Sequence, residues 1–106
     1  MSQNWQVYLI NNREEIIETV LVMSRGSNAE LKTSTLRHGL GDLGPKTFSK
    51  IEFLPMEVLG FVNEYWVTFF SEGKLFERRF VFEAGSISET AVVGIPLMNV
   101  PGIIAQ

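Results

Sequence analysis

Two glycine-rich patterns overlap in the middle of the chain, and proteins use each of them to bind phosphate. Gly39, Gly41 and Gly44 have the spacing of the dinucleotide-binding pattern G-x-G-x-x-G, which places a pyrophosphate at the N-terminus of a helix that follows a strand. Pro45 follows the third glycine, no apolar helical period comes after it, and it displaces Lys46 from the phosphate-binding loop G-x-x-x-x-G-K-S/T. We therefore expect a glycine-rich connection here and no cofactor.

His38 is the residue best suited to acid–base chemistry, because it is the only histidine in the chain. There is no cysteine and the only aspartate is Asp42, so the ligands of a typical zinc site are missing and no metal is expected. Catalysis by His38 needs an orienting group and a nucleophile, and Ser34, Thr35 and Asp42 are its polar neighbours in sequence. We interpret His38 as a loop residue; His38 and Asp42 are the first suspects should the chain be an enzyme.

The charged residues do not point to a nucleic-acid site. Arg78 and Arg79 lie between Phe76 and Phe80, a combination that can bind single-stranded nucleic acid by stacking and charge. The formal net charge of −3 opposes that function and opposes binding to an anionic membrane surface. A cation–π contact of Arg79 with Trp66 is the expected role instead. No pair of glutamates stands out as an acid and a base.

The elements that must position these residues are predicted to be β-strands of one domain, residues 1–106. Hydrophobic residues make up 45% of the chain, and eight phenylalanines supply bulk for a core. Turn residues divide the sequence into short segments rich in β-branched and aromatic residues, which is typical of an all-β sandwich or barrel. Seven strands are predicted, at residues 4–10, 16–24, 30–36, 47–54, 63–71, 74–83 and 87–95.

Residues 12–26 are compatible with a helix as well as a strand. Asn12 can cap a helix, Glu15 completes a capping box, and Gly26 suits a helix end. Residues 16–22 are rich in β-branched side chains, which lose freedom in a helix, and they follow the first strand as the second arm of a hairpin would. We favour the strand and keep the helix as the alternative.

A hairpin with a two-residue turn at Glu72–Gly73 is predicted between the fifth and sixth strands. That turn fixes the register, so that Val67 faces Arg78 and Trp66 faces Arg79. One face of the hairpin is predicted to be core: Tyr65, Val67, Phe69, Phe76, Phe80 and Phe82. The other is too apolar for solvent and too charged for a core: Trp66, Phe70, Leu75 and Val81, with Glu64, Thr68, Glu77 and Arg79.

The C-terminal tail, residues 94–104, is almost wholly apolar but contains two prolines, so it cannot be a central strand. Left exposed, it would promote aggregation. We expect residues 97–104 to be buried, in part against a second protomer, and to cover the mixed face of the hairpin.

Several strands resemble those of immunoglobulin-like or fibronectin-type sandwiches. VYLINN at residues 7–12 followed by TVLV at residues 19–22 looks like their opening hairpin, and YWVTF at residues 65–69 with FVF at residues 80–82 looks like their later strands. The resemblance implies an immunoglobulin-like antiparallel β-sandwich of about seven strands. The cysteine pair and the core tryptophan spacing of antibody domains are absent, so it implies no functional residue.

The sequence favours a non-enzymatic protein-interaction or assembly module that is homo-oligomeric. Binding of a small molecule or carbohydrate, through Trp5 or Trp66, is the alternative, followed by an enzyme with a dispersed site. No signal peptide or membrane helix is apparent, so a cytoplasmic location follows by elimination. The expected partner is a second copy or another protein, without nucleic acid or membrane. The predicted interface comprises Trp66, Phe70, Leu75, Arg79, Val81, Leu97, Met98, Val100, Ile103 and Ile104.

Overall fold

A computed structural model describes residues 5–106, and its elements are almost entirely antiparallel strands, which confirms the all-β prediction. Short 3₁₀ turns at Met56–Val58 and Glu89–Ala91 interrupt the strands. The strands are β1 (Trp5–Asn11), β2 (Ile17–Ser27), β3 (Leu36–Leu43), β4 (Thr47–Leu54), β5 (Val62–Ser71), β6 (Lys74–Phe82), β7 (Val93–Gly94) and β8 (Pro101–Gly102).

The strands form a two-stranded sheet, β1–β4, a four-stranded sheet in the order β3-β2-β5-β6, and the small pair β7–β8. The core lies between the β1–β4 sheet and the four-stranded sheet, because alternate residues of each sheet point toward the other. We call these the smaller and the larger sheet. Val7 and Leu54 come from the smaller sheet and meet the buried residues of the larger one: Ile17, Val20, Val22, Leu43, Tyr65, Val67 and Phe69.

The hairpin of β5 and β6 has the predicted turn and register. Val67 lies opposite Arg78 and Trp66 opposite Arg79. Glu72 and Gly73 both have positive φ, 52° and 76°, as a two-residue type I′ turn requires. The predicted core face is also confirmed, since its three β5 residues are buried and its phenylalanines from β6 pack against the core.

Residues 12–26 contain a strand and no helix, but the predicted opening hairpin is wrong. β2 pairs with β3 and β5, whereas β1 pairs with β4 in the other sheet. The buried side chain of Asn11 holds this crossing in place, because its amide donates to the backbone carbonyls of Glu15, Leu43 and Gly44 at 2.9 to 3.1 Å. A short polar link therefore moves the chain between sheets instead of reversing it within one.

The third strand lies later in the chain than predicted, and the predicted glycine-rich connection is wrong for two of its three glycines. Residues 30–35 are not part of a strand, because Asn28 accepts hydrogen bonds from the amides of Glu30 and Leu31 and forms a turn there. Gly39 and Gly41 belong to β3, whereas Gly44 lies in the connection between β3 and β4. Gly41, with φ of 70°, lies opposite Val20 at an irregularity where the pairing of β2 and β3 shifts.

The remaining predicted strands differ in their bounds. The strand at 47–54 is confirmed, and those at 63–71 and 74–83 shift by one residue at an end. The first is confirmed from Trp5 onward, while Asn4 lies outside the described residues. The strand at 87–95 is wrong: a 3₁₀ turn occupies its centre, and only Val93–Gly94 is extended and paired.

The tail is anchored at its two ends rather than buried along its length. β7 pairs with β8, and Gln106 exchanges two backbone hydrogen bonds with Val81 at the free edge of β6. Leu97, Val100 and Ile104 remain 43 to 58% exposed in the single chain, so their burial within it was wrongly expected. The prolines explain this, because a segment without regular amide donors cannot pair along a whole edge. The single chain does not test the expected burial of these residues against a second protomer.

Candidate functional site

Half of the predicted interface residues share one surface, which we call the outer face: the side of the four-stranded sheet that points away from the core. In β5 and β6, Trp66 lies opposite Arg79, Phe70 opposite Leu75, and Val81 opposite Glu64. Their neighbours in β2 are Met23, opposite Trp66, and Leu21, opposite Thr68. Cross-strand neighbours lie about 4.5–5.5 Å apart at Cβ, so these side chains form one patch.

Most of the apolar side chains of the outer face are open to solvent. Leu21, Met23, Phe70 and Leu75 are between 39 and 58% exposed, whereas Val81 is only 8% exposed and offers no surface to a partner. Leu21 and Met23 were not among the predicted interface residues. Strand alternation is the signal that could have found them, because they alternate with Val20, Val22 and Ser24, which are buried.

Ion pairs hold one end of the outer face. The carboxylate of Glu64 accepts a hydrogen bond from Arg79 Nε at 3.0 Å and is 3.5 Å from Arg25 Nη2. The hydrogen bond from Arg79 holds the pKa of Glu64 below its ordinary value, against a smaller opposing effect of burial. The guanidinium carbon of Arg25 lies over the Trp66 ring, 5.4 Å from the ring centroid. Arg25 therefore makes the cation–π contact with Trp66, and the predicted contact with Arg79 is wrong.

The structure places His38 in β3 and not in a loop, which corrects the sequence interpretation. Its Nε2 is 2.9 Å from Glu52 Oε1, and Ser24 donates to the same oxygen at 2.9 Å. The hydroxyl of Tyr65 donates to the other oxygen, Glu52 Oε2, at 2.6 Å. Glu52 thus reaches from β4 in the smaller sheet to three strands of the larger one, forming what we call the polar bridge.

The polar bridge lacks the geometry of a nucleophilic triad. Ser24 and His38 are both bound to the carboxylate of Glu52, so no hydrogen bond that would activate the serine links them. Burial, and then the neighbouring carboxylate of Glu52, raises the pKa of Tyr65, which keeps that hydroxyl a neutral donor. Asp42 is elsewhere, where it accepts a hydrogen bond from the amide of Thr19.

Glu52 was not predicted as a site residue, because strict alternation along β4 places it with Lys50 on the polar face of the strand. The pairing of β1 with β4 shifts at Ile51, since Val7 lies opposite Glu52 and the next residue, Tyr8, lies opposite Lys50. This bulge turns Glu52 inward and leaves Phe53 49% exposed. A bulge of this kind has no signature in the local sequence.

An apolar groove of about 390 Å³ lies on the other side of the four-stranded sheet, bounded by β1, the inner side chains of β5 and β6, and the tail. We call it the β1 groove. Its lining includes Tyr65, Val67, Phe80 and Phe82 from β5 and β6. Four residues of the predicted interface line this groove: Met98, Val100, Ile103 and Ile104. They were expected to cover the mixed face of the hairpin, and within the single chain they do not.

Trp5, one of the two tryptophans considered for ligand binding, also lines the β1 groove. Its indole Nε1 is buried and has no hydrogen-bond partner among residues 5–106. The nitrogen itself is not exposed to the groove, so it offers a ligand no direct contact. Trp66, the other tryptophan, does not line this groove, because its side chain is on the outer face of the sheet.

Residues 5–106 contain neither a metal-binding cluster nor a membrane-spanning helix. No group of three or more histidine, aspartate or glutamate side chains there is placed to hold a metal ion. Within the same residues, no helix has the length and apolar character needed to cross a membrane.

Comparison of the chain with family models, with curated proteins and with solved structures finds no match in any of the three.

Proposed function

We propose that this protein is a non-enzymatic assembly module that forms a homodimer through the outer face. The observation that carries the proposal is the exposure of Leu21, Met23, Phe70 and Leu75 side by side on a regular sheet face. Contiguous exposed apolar patches on a soluble domain mark interaction sites, whereas scattered apolar residues do not. The polar bridge supports the non-enzymatic assignment, because it binds Ser24 and His38 to one carboxylate.

The arrangement of charge on the outer face favours a second copy as the partner. Near the β5–β6 turn the face carries acidic residues opposite Phe70 and Thr68, namely Glu18 and Glu77. Further from the turn it carries three basic residues, Arg25, Arg37 and Arg79, and one acidic residue, Glu64, so that end has a net positive charge. A two-fold axis that runs across the strands places each acidic end over the basic end of the other copy, as a self-complementary interface requires.

The finer architectural and cellular assignments belong to the same proposal. Two antiparallel sheets that face each other across a core support an immunoglobulin-like sandwich, although β1 pairs with β4 and not with β2. A cytoplasmic location is proposed on the absence of any cysteine in the chain.

Size-exclusion chromatography with light scattering tests the homodimer. The wild type is expected at twice the monomer mass, and Leu75→Lys is expected to weaken dimerisation at least about tenfold, because it puts a charge into the apolar patch. Met56→Lys is the matched control, since Met56 is 59% exposed and Leu75 is 58% exposed but Met56 lies off the sheet. A monomeric wild type, or a dimer unaffected by Leu75→Lys, contradicts the proposal.

A further inference from the structure

We propose that the β1 groove binds an extended peptide segment of a partner protein, which adds to β1 as a new strand. This site lies on the opposite side of the four-stranded sheet from the outer face, and the inference does not depend on the homodimer.

The first support is the unpaired edge of β1. β1 is seven residues long and pairs with β4 on one side only. Among residues 5–106, no backbone hydrogen bond outside that pairing involves a residue of β1. An edge of this length presents a row of amide donors and carbonyl acceptors, and main-chain pairing with an added strand satisfies them.

The second support is the position of the groove along that edge. Successive residues of β1, from Trp5 to Ile10, line it, so it runs beside the strand rather than over one face of it. Its lining also includes Phe80, Phe82 and Ile103, which are partly buried and pack on the core. A strand added to β1 directs every second side chain into this apolar space, which selects for an alternating apolar sequence.

The third support is that the chain's own tail does not fill the space. The tail forms its backbone pairs elsewhere, between β7 and β8 and between Gln106 and Val81 of β6, and, within the described residues, none with β1. Pro96 and Pro101 leave it without the regular donors that pairing requires. The segment that fits has no proline in its centre and alternates apolar with polar residues. Basic flanking residues suit the net charge of −3.

Fluorescence anisotropy with a labelled, end-capped peptide of sequence KVTVTVK tests the site. Two N-methylated forms are compared with it, one methylated at the valines and the other at the threonines. Alternate amides of a strand point to opposite edges, so strand addition predicts that one methylated form binds at least about tenfold more weakly than the other. Equal affinities of the two forms overturn the proposal, as does failure of the unmodified peptide to bind.

A protein variant locates the binding. Val100 lines the β1 groove and is 53% exposed, whereas Val93 is 50% exposed and does not line it. Val100→Trp is expected to weaken peptide binding at least about tenfold by narrowing the groove, and Val93→Trp to leave it unchanged within about twofold. If the two variants bind the peptide with the same affinity, the assignment of binding to the β1 groove is wrong.

Amide hydrogen exchange distinguishes a bound peptide strand from a bound small apolar molecule. Bound peptide is expected to slow exchange of the β1 amides that point away from β4, because they become hydrogen-bonded. The apolar dye anilinonaphthalene sulfonate is the comparison probe. Two results together overturn the peptide assignment in favour of a small apolar ligand. The dye binds in the groove and the peptide does not displace it, and the peptide gives the β1 amides no added protection.

Discussion

At the scale of single residues, Glu52 has more partners in the core than any sequence pattern around it implies. One of its oxygens accepts from Ser24 and lies within hydrogen-bond distance of His38, and the other accepts from Tyr65. Its side chain is 13% exposed, so these bonds replace most of the water that a carboxylate otherwise binds. The arrangement joins the two sheets at a point where apolar packing alone does not specify their alignment.

Replacing Glu52 by alanine is therefore expected to lower the free energy of unfolding by about 2–3 kcal/mol, because it leaves the hydroxyl groups of Ser24 and Tyr65 without acceptors. Urea denaturation at neutral pH measures the change. Glu57→Ala is the matched control, since Glu57 is exposed and has no ion pair in the described part of the chain, and it is expected to stay within about 0.5 kcal/mol. Equal effects of the two substitutions contradict the polar bridge.

At the scale of elements, local signals predicted some strands and failed at others for identifiable reasons. The β5–β6 hairpin was predictable because its turn type and its alternation depend on neighbouring residues, and its register follows from them. β3 was not predictable, because its glycines form a strand only where β2 is available to pair with them. The pairing of β1 with β4 is also a long-range choice, and short turn signals do not encode it.

Of the site residues, the aromatic members of the outer face followed from the hairpin, whereas His38 and Glu52 did not. Their contact joins β3 to β4 across the core, and it depends on the bulge at Ile51. Sequence patterns of period two describe which face a residue occupies only while the strand stays regular.

The turn of the β5–β6 hairpin gives a test at this scale. Gly73→Val is expected to lower the free energy of unfolding by more than about 1 kcal/mol, because Gly73 has φ of 76° and a β-branched residue is strained there. Gly60→Val is the control. An added Cβ meets nothing within 4 Å at either glycine, but the φ of Gly60 is not in the positive range. Thermal or urea unfolding measures both variants. If the two lose the same free energy of unfolding, the turn at Gly73 is not strained by the substitution.

At the scale of the whole molecule, the two sides of the four-stranded sheet have separate roles. The outer face carries the patch proposed to join two copies, and the inner side carries the core, the β1 groove and the tail. The tail belongs to the inner side through Ile103, which packs against the core, and through the pairing of Gln106 with Val81. Stability and association are therefore expected to respond to different substitutions.

Deleting residues 97–106 tests this separation. The deletion removes Ile103 from the core and the backbone partners of Val81, so the free energy of unfolding is expected to fall by at least about 2 kcal/mol. The truncated protein is expected to remain a dimer, at twice the mass of the truncated chain in light scattering, because the deletion removes no residue of the outer face.

Single substitutions in the tail keep the separation testable where the truncated chain does not fold. Ile103→Ala is expected to cost about 2 kcal/mol because Ile103 packs on the core, and Ile104→Ala less than about 0.5 kcal/mol because that side chain is 58% exposed. Both variants are expected to remain dimeric. A tail variant that dissociates the dimer while leaving stability unchanged places the interface on the tail and contradicts the assignment of dimerisation to the outer face.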